Sequence, residues 1–280
     1  MLNEQEARIE IVRLGRLMHQ FEFVDGGAGN LSARVGPDRI LVTPSGLAKG
    51  FLQVDQMLAV TSNGELCAEQ TEAARKLRPT SELPMHLEAY RKRADVNAVV
   101  HAHPITTIAL SIAGISLAEC LIPEAVVILG MVPTTPYSTP ASDENRAAIS
   151  KAIESHDVIV LEYHGSLTVG KDLWDAYKKL EVLEHTAKIV AMARLLGGDA
   201  PSPRPVDMTG SRRGWAALPP DQVVKLMEAR RQGGFSRPQD EEDFCRQCGV
   251  CHPRGEHTDL DVLIAAVSQE VRRALHSDGK

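Results

Sequence analysis

Three histidines and one glutamate have the types and spacing of a catalytic metal site. His101 and His103 sit in Asn97-Ala-Val-Val-His-Ala-His-Pro104, His164 in Glu162-Tyr-His-Gly165, and Glu82 in Pro79-Thr-Ser-Glu82. Residues 98–103 read as a strand, on which side chains two apart share a face. The two imidazoles can therefore converge on one ion, and a third from another strand end completes a facial set. Three His ligands with an open position describe a catalytic zinc site better than a structural one, although such sites also accept Co²⁺ or Mn²⁺. Glu82 is then a fourth ligand, a base, or each in turn. A lone His-x-His pair is common without metal; a third imidazole at a second sharp turn sets this chain apart. Of the other histidines, His19, His86, His156 and His185 are read on helix faces or in loops, without metal. His185 follows Glu181 by four, the spacing of a surface helix pair.

Three small-residue segments can hold an anion: Gly26-Gly-Ala-Gly-Asn30, Thr43-Pro-Ser-Gly46 and Pro79-Thr-Ser81. Each offers backbone N–H groups and short polar side chains, and a helix N-terminus adds its dipole. Taken singly, each is an ordinary turn. Lys49 adds a charge nearby but reads as a solvated lysine. There is no Walker pattern, and the glycines do not complete a dinucleotide fingerprint, so no nucleotide cofactor is indicated.

These residues need elements to carry them. Residues 3–22 read as a helix capped by Asn3 with Glu6 as its capping-box partner, burying Ile9, Val12, Leu17 and Phe21. Strands are expected at about 30–34, 40–43, 57–61, 98–103, 158–161 and 166–169. Helices are expected at 82–93, with Thr80 or Ser81 near its N-cap, at 104–113, and at 142–155, opened by Ser142. A long helix at 172–196 turns Leu173, Ala176, Leu180, Leu183, Ala187 and Val190 inward, and Gly197-Gly198 closes it. This alternation predicts an α/β architecture with helices covering a central sheet. Beyond residue 200 the chain turns Pro- and Gly-rich, a linker or loosely packed arm with one short helix at 220–231.

Composition narrows the class. At 280 residues and 43% hydrophobic content a sizeable core can form, and 4% aromatic content makes it aliphatic. A net charge of −6 leaves no footprint for nucleic acid. No apolar run approaches the roughly 20 residues of a membrane span, and the first residues lack signal-peptide character, so a cytoplasmic location is expected. Cys67 and Cys120 are isolated and read as reduced and buried.

The ordered set Gly-Asn-Leu-Ser, Thr-Pro-Ser-Gly, Thr-Ser-Glu, His-Ala-His-Pro and His-Gly resembles the class II aldolase/adducin family, in its sugar-phosphate aldolase branch, over about residues 3–196. The resemblance implies a three-layer α/β/α sandwich on a mainly antiparallel sheet, assembled as a homotetramer. It implies Zn²⁺ on His101, His103 and His164, Glu82 as metal ligand and catalytic acid/base, and phosphate at Asn30, Ser45, Gly46, Thr80 and Ser81. The implied reaction is retro-aldol cleavage of a ketose 1-phosphate, of the L-fuculose or L-rhamnulose type, to dihydroxyacetone phosphate and lactaldehyde. The family's aldolases take a tyrosine from a neighbouring subunit as general acid. The matching stretch here, Cys120-Leu-Ile-Pro-Glu-Ala-Val-Val-Ile128, has none, and Glu124 or Tyr137 is the substitute. Two other readings stand: a zinc-dependent dehydratase of the methylthioribulose 1-phosphate type, and a non-catalytic scaffold protein. The metal histidines argue against a purely structural protein.

The tail carries a second constellation. Cys245, Cys248 and Cys251, with His252 or His257, would supply four ligands for zinc or part of an iron–sulfur cluster; the alternative is a reactive-thiol tail. Residues 258–280 hold a final amphipathic helix with Leu260, Leu263, Val267, Val271 and Leu275 on one stripe. It resembles encapsulation peptides that recruit enzymes into bacterial microcompartments, which implies shell or co-encapsulated enzymes as partners. The other reading is a helix packed on the chain's own oligomer. The organisation expected is thus a catalytic domain at 1–200, a linker with the Cys cluster at 201–257, and the helix.

Overall fold

The computed structural model describes residues 2–119, 121–197 and 217–235. The Cys245/Cys248/Cys251/His252 constellation, Cys120, Gly198 and the helix expected at 258–280 lie outside them.

The chain opens with α1 (Glu4–Gln20), where Asn3 and Glu6 form the expected reciprocal capping box. A hairpin follows, β1 (Asn30–Gly36) and β2 (Arg39–Val42), then β3 (Leu58–Val60), α2 (Leu83–Lys92) and β4 (Ala98–Ala102). Next come α3 (Ile105–Ile112), α4 (Pro123–Ile128), β5 (Thr134–Thr135), α5 (Asp143–Ala152), β6 (Val158–Leu161), β7 (Gly165–Gly170), α6 (Leu173–Gly197) and α7 (Pro220–Gln232). The seven strands form one sheet in the order β3-β2-β1-β4-β7-β6-β5. Every pairing is antiparallel except β5 with β6.

Two apolar clusters sandwich the sheet. Alternate residues Ala98, Val100 and Ala102 of β4 pack with α1 and α6, while Val99 packs with α2 and α5. Buried on both faces, β4 reads as a continuous apolar run apart from His101. All six residues expected to point inward from α6 are buried, each leucine contributing roughly 1.5–3 kcal/mol. The three-layer α/β/α sandwich expected from the sequence is therefore present.

Several local readings change. In α1 the buried stripe is Ala7, Ile11, Leu14 and Met18, with Val12 beside it; Ile9 is 51% exposed and Phe21 is also exposed. Both apolar series in α1 have helical spacing, and it is the contact with the sheet and α6 that selects one of them. In α2 the N-cap is Glu82 itself, without a side-chain cap; Thr80 Oγ1 instead accepts from the Glu82 N–H at 3.3 Å. Cys67 is free and half-buried rather than buried. The short helix expected at 220–231 forms as α7 and docks on the rest of the chain. In α7, Val223 and Met227 pack on Ala118, Val126 and Met131, and Arg230 Nη1 donates to the carbonyls of Val127 and Ile128 at 2.6 and 2.9 Å. Among the described residues no helix is long and apolar enough to cross a membrane.

Candidate active site

Sheet register brings the metal candidates together. Asn30 of β1 pairs with His101 of β4, and His101 pairs with Leu167 of β7. His103 lies just past the end of β4. Its close approach to the β6–β7 turn requires glycine there, because a Cβ on Gly165 would lie 2.3 Å from the Ala102 carbonyl oxygen and 3.0 Å from His103. His164 occupies that turn. Tyr163 before it adopts a left-handed backbone, φ +57°, unfavourable for a bulky residue. Its N–H donates to Ser111 Oγ at 2.9 Å and the His164 N–H donates to the Leu161 carbonyl at 3.0 Å, which hold the strained turn. On the other side, the buried carboxylate of Glu184 on α6 accepts from the N–H groups of Thr106 and Thr107 at 3.0 and 2.9 Å, fixing the start of the helix that follows His103.

The ligand atoms of Glu82, His101, His103 and His164 all lie within 4.8 Å of one another. His101 Nδ1 lies 2.8 Å from the Ser166 carbonyl oxygen, so Nδ1 carries the proton and Nε2 presents its lone pair. That lone pair lies 3.0 Å from His103 Nε2 and 3.1 Å from Glu82 Oε2. His164 Nε2 lies 3.4 Å from Glu82 Oε1, a buried oxygen without a hydrogen-bond partner. Burial, then the neighbouring His101, pushes His103 and His164 down to about 4, so both rings are neutral. The Asn30 amide donates to the Glu82 carboxylate and favours its ionised form. Three imidazole nitrogens and a carboxylate oxygen converging at these distances form a donor set that fits a divalent metal ion.

Beside this cluster lies a cavity of about 320 Å³ lined by Asn30, Ser45, Gly46, Thr80 and Ser81 together with Glu82, His103 and His164. All five phosphate candidates thus line the cavity that Glu82, His103 and His164 also line, while His101 lies buried behind them. Asn30 does more than line it, because its Nδ2 donates to Glu82 Oε2 at 2.8 Å. Lys49 is the residue most misjudged from sequence. It is only 1% exposed and lines the cavity, donating to the carbonyls of Gly27 and Leu47 at 2.8 and 2.6 Å. Glycine at position 15 lets α1 press on it, since a Cβ there would lie 2.5 Å from the Lys49 carbonyl oxygen. Burial lowers the Lys49 ammonium to about 8, against a smaller opposing pull from Glu82.

Other candidates do not join the cluster. Glu124, in the first turn of α4, is exposed and does not line the cavity. Tyr137 is 57% exposed, its ring 6.2 Å from that of Tyr163. The segment after it does reach the cavity, through Pro140 and Ala141, which nothing in the sequence marked.

Residues 9–191 match the family described as Class II Aldolase and Adducin N-terminal domain, and the chain belongs to this family. It is an enzyme of the aldolase type, with relatives of more than one activity. The chain is 35% identical to the L-fuculose phosphate aldolase of Methanocaldococcus jannaschii, across 67% of this chain and 97% of the relative. It is 31% identical to the 3-oxo-tetronate 4-phosphate decarboxylase of Pectobacterium atrosepticum, across 67% and 85%. Among solved structures, the L-fuculose-1-phosphate aldolase of Thermus thermophilus superposes with a TM-score of 0.58 at 26% identity, across 70% of this chain and 98% of that one.

Proposed function

We propose that this protein cleaves a phosphorylated ketose between carbons 3 and 4, the bond one removed from the carbon 2 carbonyl, as a Zn²⁺-dependent class II aldolase. The substrate class is a ketose 1-phosphate of the L-fuculose or L-rhamnulose type, and the products are dihydroxyacetone phosphate and lactaldehyde. The observation that carries this reading is the shared cavity, in which the His101/His103/His164/Glu82 cluster adjoins Ser45, Gly46, Lys49 and Ser81. When bound, the metal supplies Lewis acidity that draws electron density from the ketone and its neighbouring hydroxyl.

The chain's own residues do the rest. Ser45, Gly46, Thr80 and Ser81 hold the phosphate, and Lys49 balances its charge. Glu82 exchanges the proton on the carbon that becomes the product's hydroxymethyl carbon. Cleavage moves one proton from the hydroxyl on carbon 4 to carbon 3, so the overall reaction neither takes up nor releases a proton. Tyr137 is favoured over Glu124 for the proton on the aldehyde oxygen, because its segment runs on into the cavity wall. Subunits assemble as a homotetramer. The tail addresses the enzyme to a microcompartment shell, which loss of co-sedimentation with shells on deleting residues 256–280 would support and unchanged co-sedimentation would refute.

A second reading is favoured by the similarity to a decarboxylase. Loss of CO₂ from a 3-oxo-tetronate 4-phosphate leaves the same carbanion as retro-aldol cleavage of a ketose 1-phosphate, and protonation gives dihydroxyacetone phosphate from either. One coupled assay for that product therefore tests both, with and without chelator. Aldehyde as co-product supports the aldolase, CO₂ supports the decarboxylase, and turnover without dihydroxyacetone phosphate points to a dehydratase. Turnover that survives removal of all bound metal sinks the metal-dependent reading.

Lys49 makes the phosphate subsite pH-sensitive. Its ammonium is present below about 8 and lost above it. KM for a phosphorylated substrate is therefore expected to rise as pH increases from 8 to 9, by about fivefold if the charge is required throughout binding. The Lys49→Met variant is expected to show a high KM at pH 7 and no such rise. A wild-type KM that stays flat across this range counts against the role.

A further inference from the structure

Behind Glu82 runs a buried polar chain that metal and phosphate binding do not account for. Asn30 and Ser32 stand two apart on β1 and share a sheet face, while His86 and Tyr90 stand four apart on α2 and share a helix face. The two pairs interleave. Tyr90 OH lies 2.8 Å from Ser32 Oγ, and Ser32 Oγ lies 2.6 Å from His86 Nδ1. His86 Nε2 bonds to Asn30 Oδ1, and Asn30 Nδ2 donates to Glu82 Oε2. All four side chains before Glu82 are buried.

Proton bookkeeping along this chain has one solution. An ionised Glu82 only accepts, so Asn30 must present its N–H₂ and turn Oδ1 toward His86. His86 must then donate from Nε2 and accept at Nδ1. Ser32 spends its single proton on Nδ1, so Tyr90 donates to Ser32. At the far end, the Arg34 guanidinium lies over the Tyr90 ring, 4.9 Å from its centroid, and donates to the Tyr90 carbonyl at 3.2 Å.

We propose that His86 is a positioning residue for proton transfer at Glu82, acting through Asn30. The His86 N–H prevents the Asn30 amide from flipping, so an N–H always grips Oε2 and leaves Oε1, which has no hydrogen-bond partner, as the oxygen that takes and returns the substrate proton. This rests on Glu82 serving as the carbon acid/base in the function proposed above. An unbraced Asn30 presents Oδ1 to the carboxylate in half of its orientations, acceptor against acceptor, and the carboxylate turns.

Two variants of the full-length, metal-loaded enzyme test it. His86→Gln keeps one donor and one acceptor on a planar group, whereas His86→Met fills similar volume with neither. His86→Met is expected to lose about 10–100-fold in kcat with KM within about threefold and metal content unchanged. His86→Gln is expected to regain most of the loss. A wild-type kcat in His86→Met, or an equal loss in both variants at equal thermal stability, overturns the proposal. Nitrogen-15 NMR of the histidine rings reads the tautomer without turnover. Protonation of His86 at Nε2 alone between pH 5 and 8 is expected, and the opposite tautomer or a charged ring overturns the proposal. A wild-type enzyme inactive on every phosphorylated ketose or oxo acid would count against the assigned reaction, while the tautomer still decides the relay.

Discussion

Glu82→Gln is expected to lower kcat by about 10²–10⁴-fold while the protein keeps its metal. The substitution is nearly isosteric, and the amide oxygen of glutamine can still accept from Asn30 Nδ2. The three imidazoles are fixed independently of it: His101 by the Ser166 carbonyl, His103 by the end of β4 and the α3 cap, His164 by the strained Tyr163 turn. Three neutral nitrogens suffice to hold a divalent ion. What glutamine cannot do is take up a proton, so the loss should fall on the chemical step and leave KM little changed. Metal analysis of the purified variant beside a steady-state assay separates the two contributions. A variant that turns over within a few-fold of wild type removes Glu82 from the chemistry, and one that purifies without metal makes it chiefly a ligand.

The convergence of the histidines was legible in the sequence because its geometry is mostly local. His101 and His103 are two apart at the end of one strand, and His164 sits on a glycine-terminated turn, so period and turn chemistry alone aim them. The loops that line the cavity were legible for the same reason, as short runs of small residues. His86 was not. Its role depends on which face of α2 meets which face of β1, a pairing across more than 50 residues that no local pattern records. Lys49 carries the signature of a surface lysine, and only the packing of Gly15 and the two loops around it shows that it is buried. Asn30, read as a phosphate ligand, shares its amide between His86 and Glu82, a duty that its place beside His101 in the sheet imposes. The short α4 and β5 escaped the reading because six and two residues are too few to show a period.

Asp157→Asn is expected to destabilise the fold by about 2–3 kcal/mol, because two buried cations each lose one of their carboxylate partners. Asp157, just before β6, receives Arg93 Nη1 at 2.6 Å and Lys179 Nζ at 2.9 Å, joining the end of α2 to α6. Lys179 also donates to the Val169 carbonyl and pairs with Asp175, so neither cation can easily move to water. Roughly 5–10 °C should be lost from the unfolding midpoint. Asp95→Asn, which removes the more exposed partner of Arg93, should cost less than about 1 kcal/mol. The pH dependence has a definite sign. Burial opposes the Asp157 charge, but Lys179 and Arg93 outweigh it, so its folded value lies below the ordinary 3.8. The carboxylate's contribution is then complete above about pH 4 and drains away as pH falls below it. Wild type and variant should differ most near neutrality and converge in acid; a constant difference down to pH 2 would show that packing rather than charge is responsible. Because this cluster ties the helix that begins at Glu82 to the hairpin bearing His164, its loss should lower the temperature at which metal is released. Well below the variant's own midpoint, kcat should be unchanged.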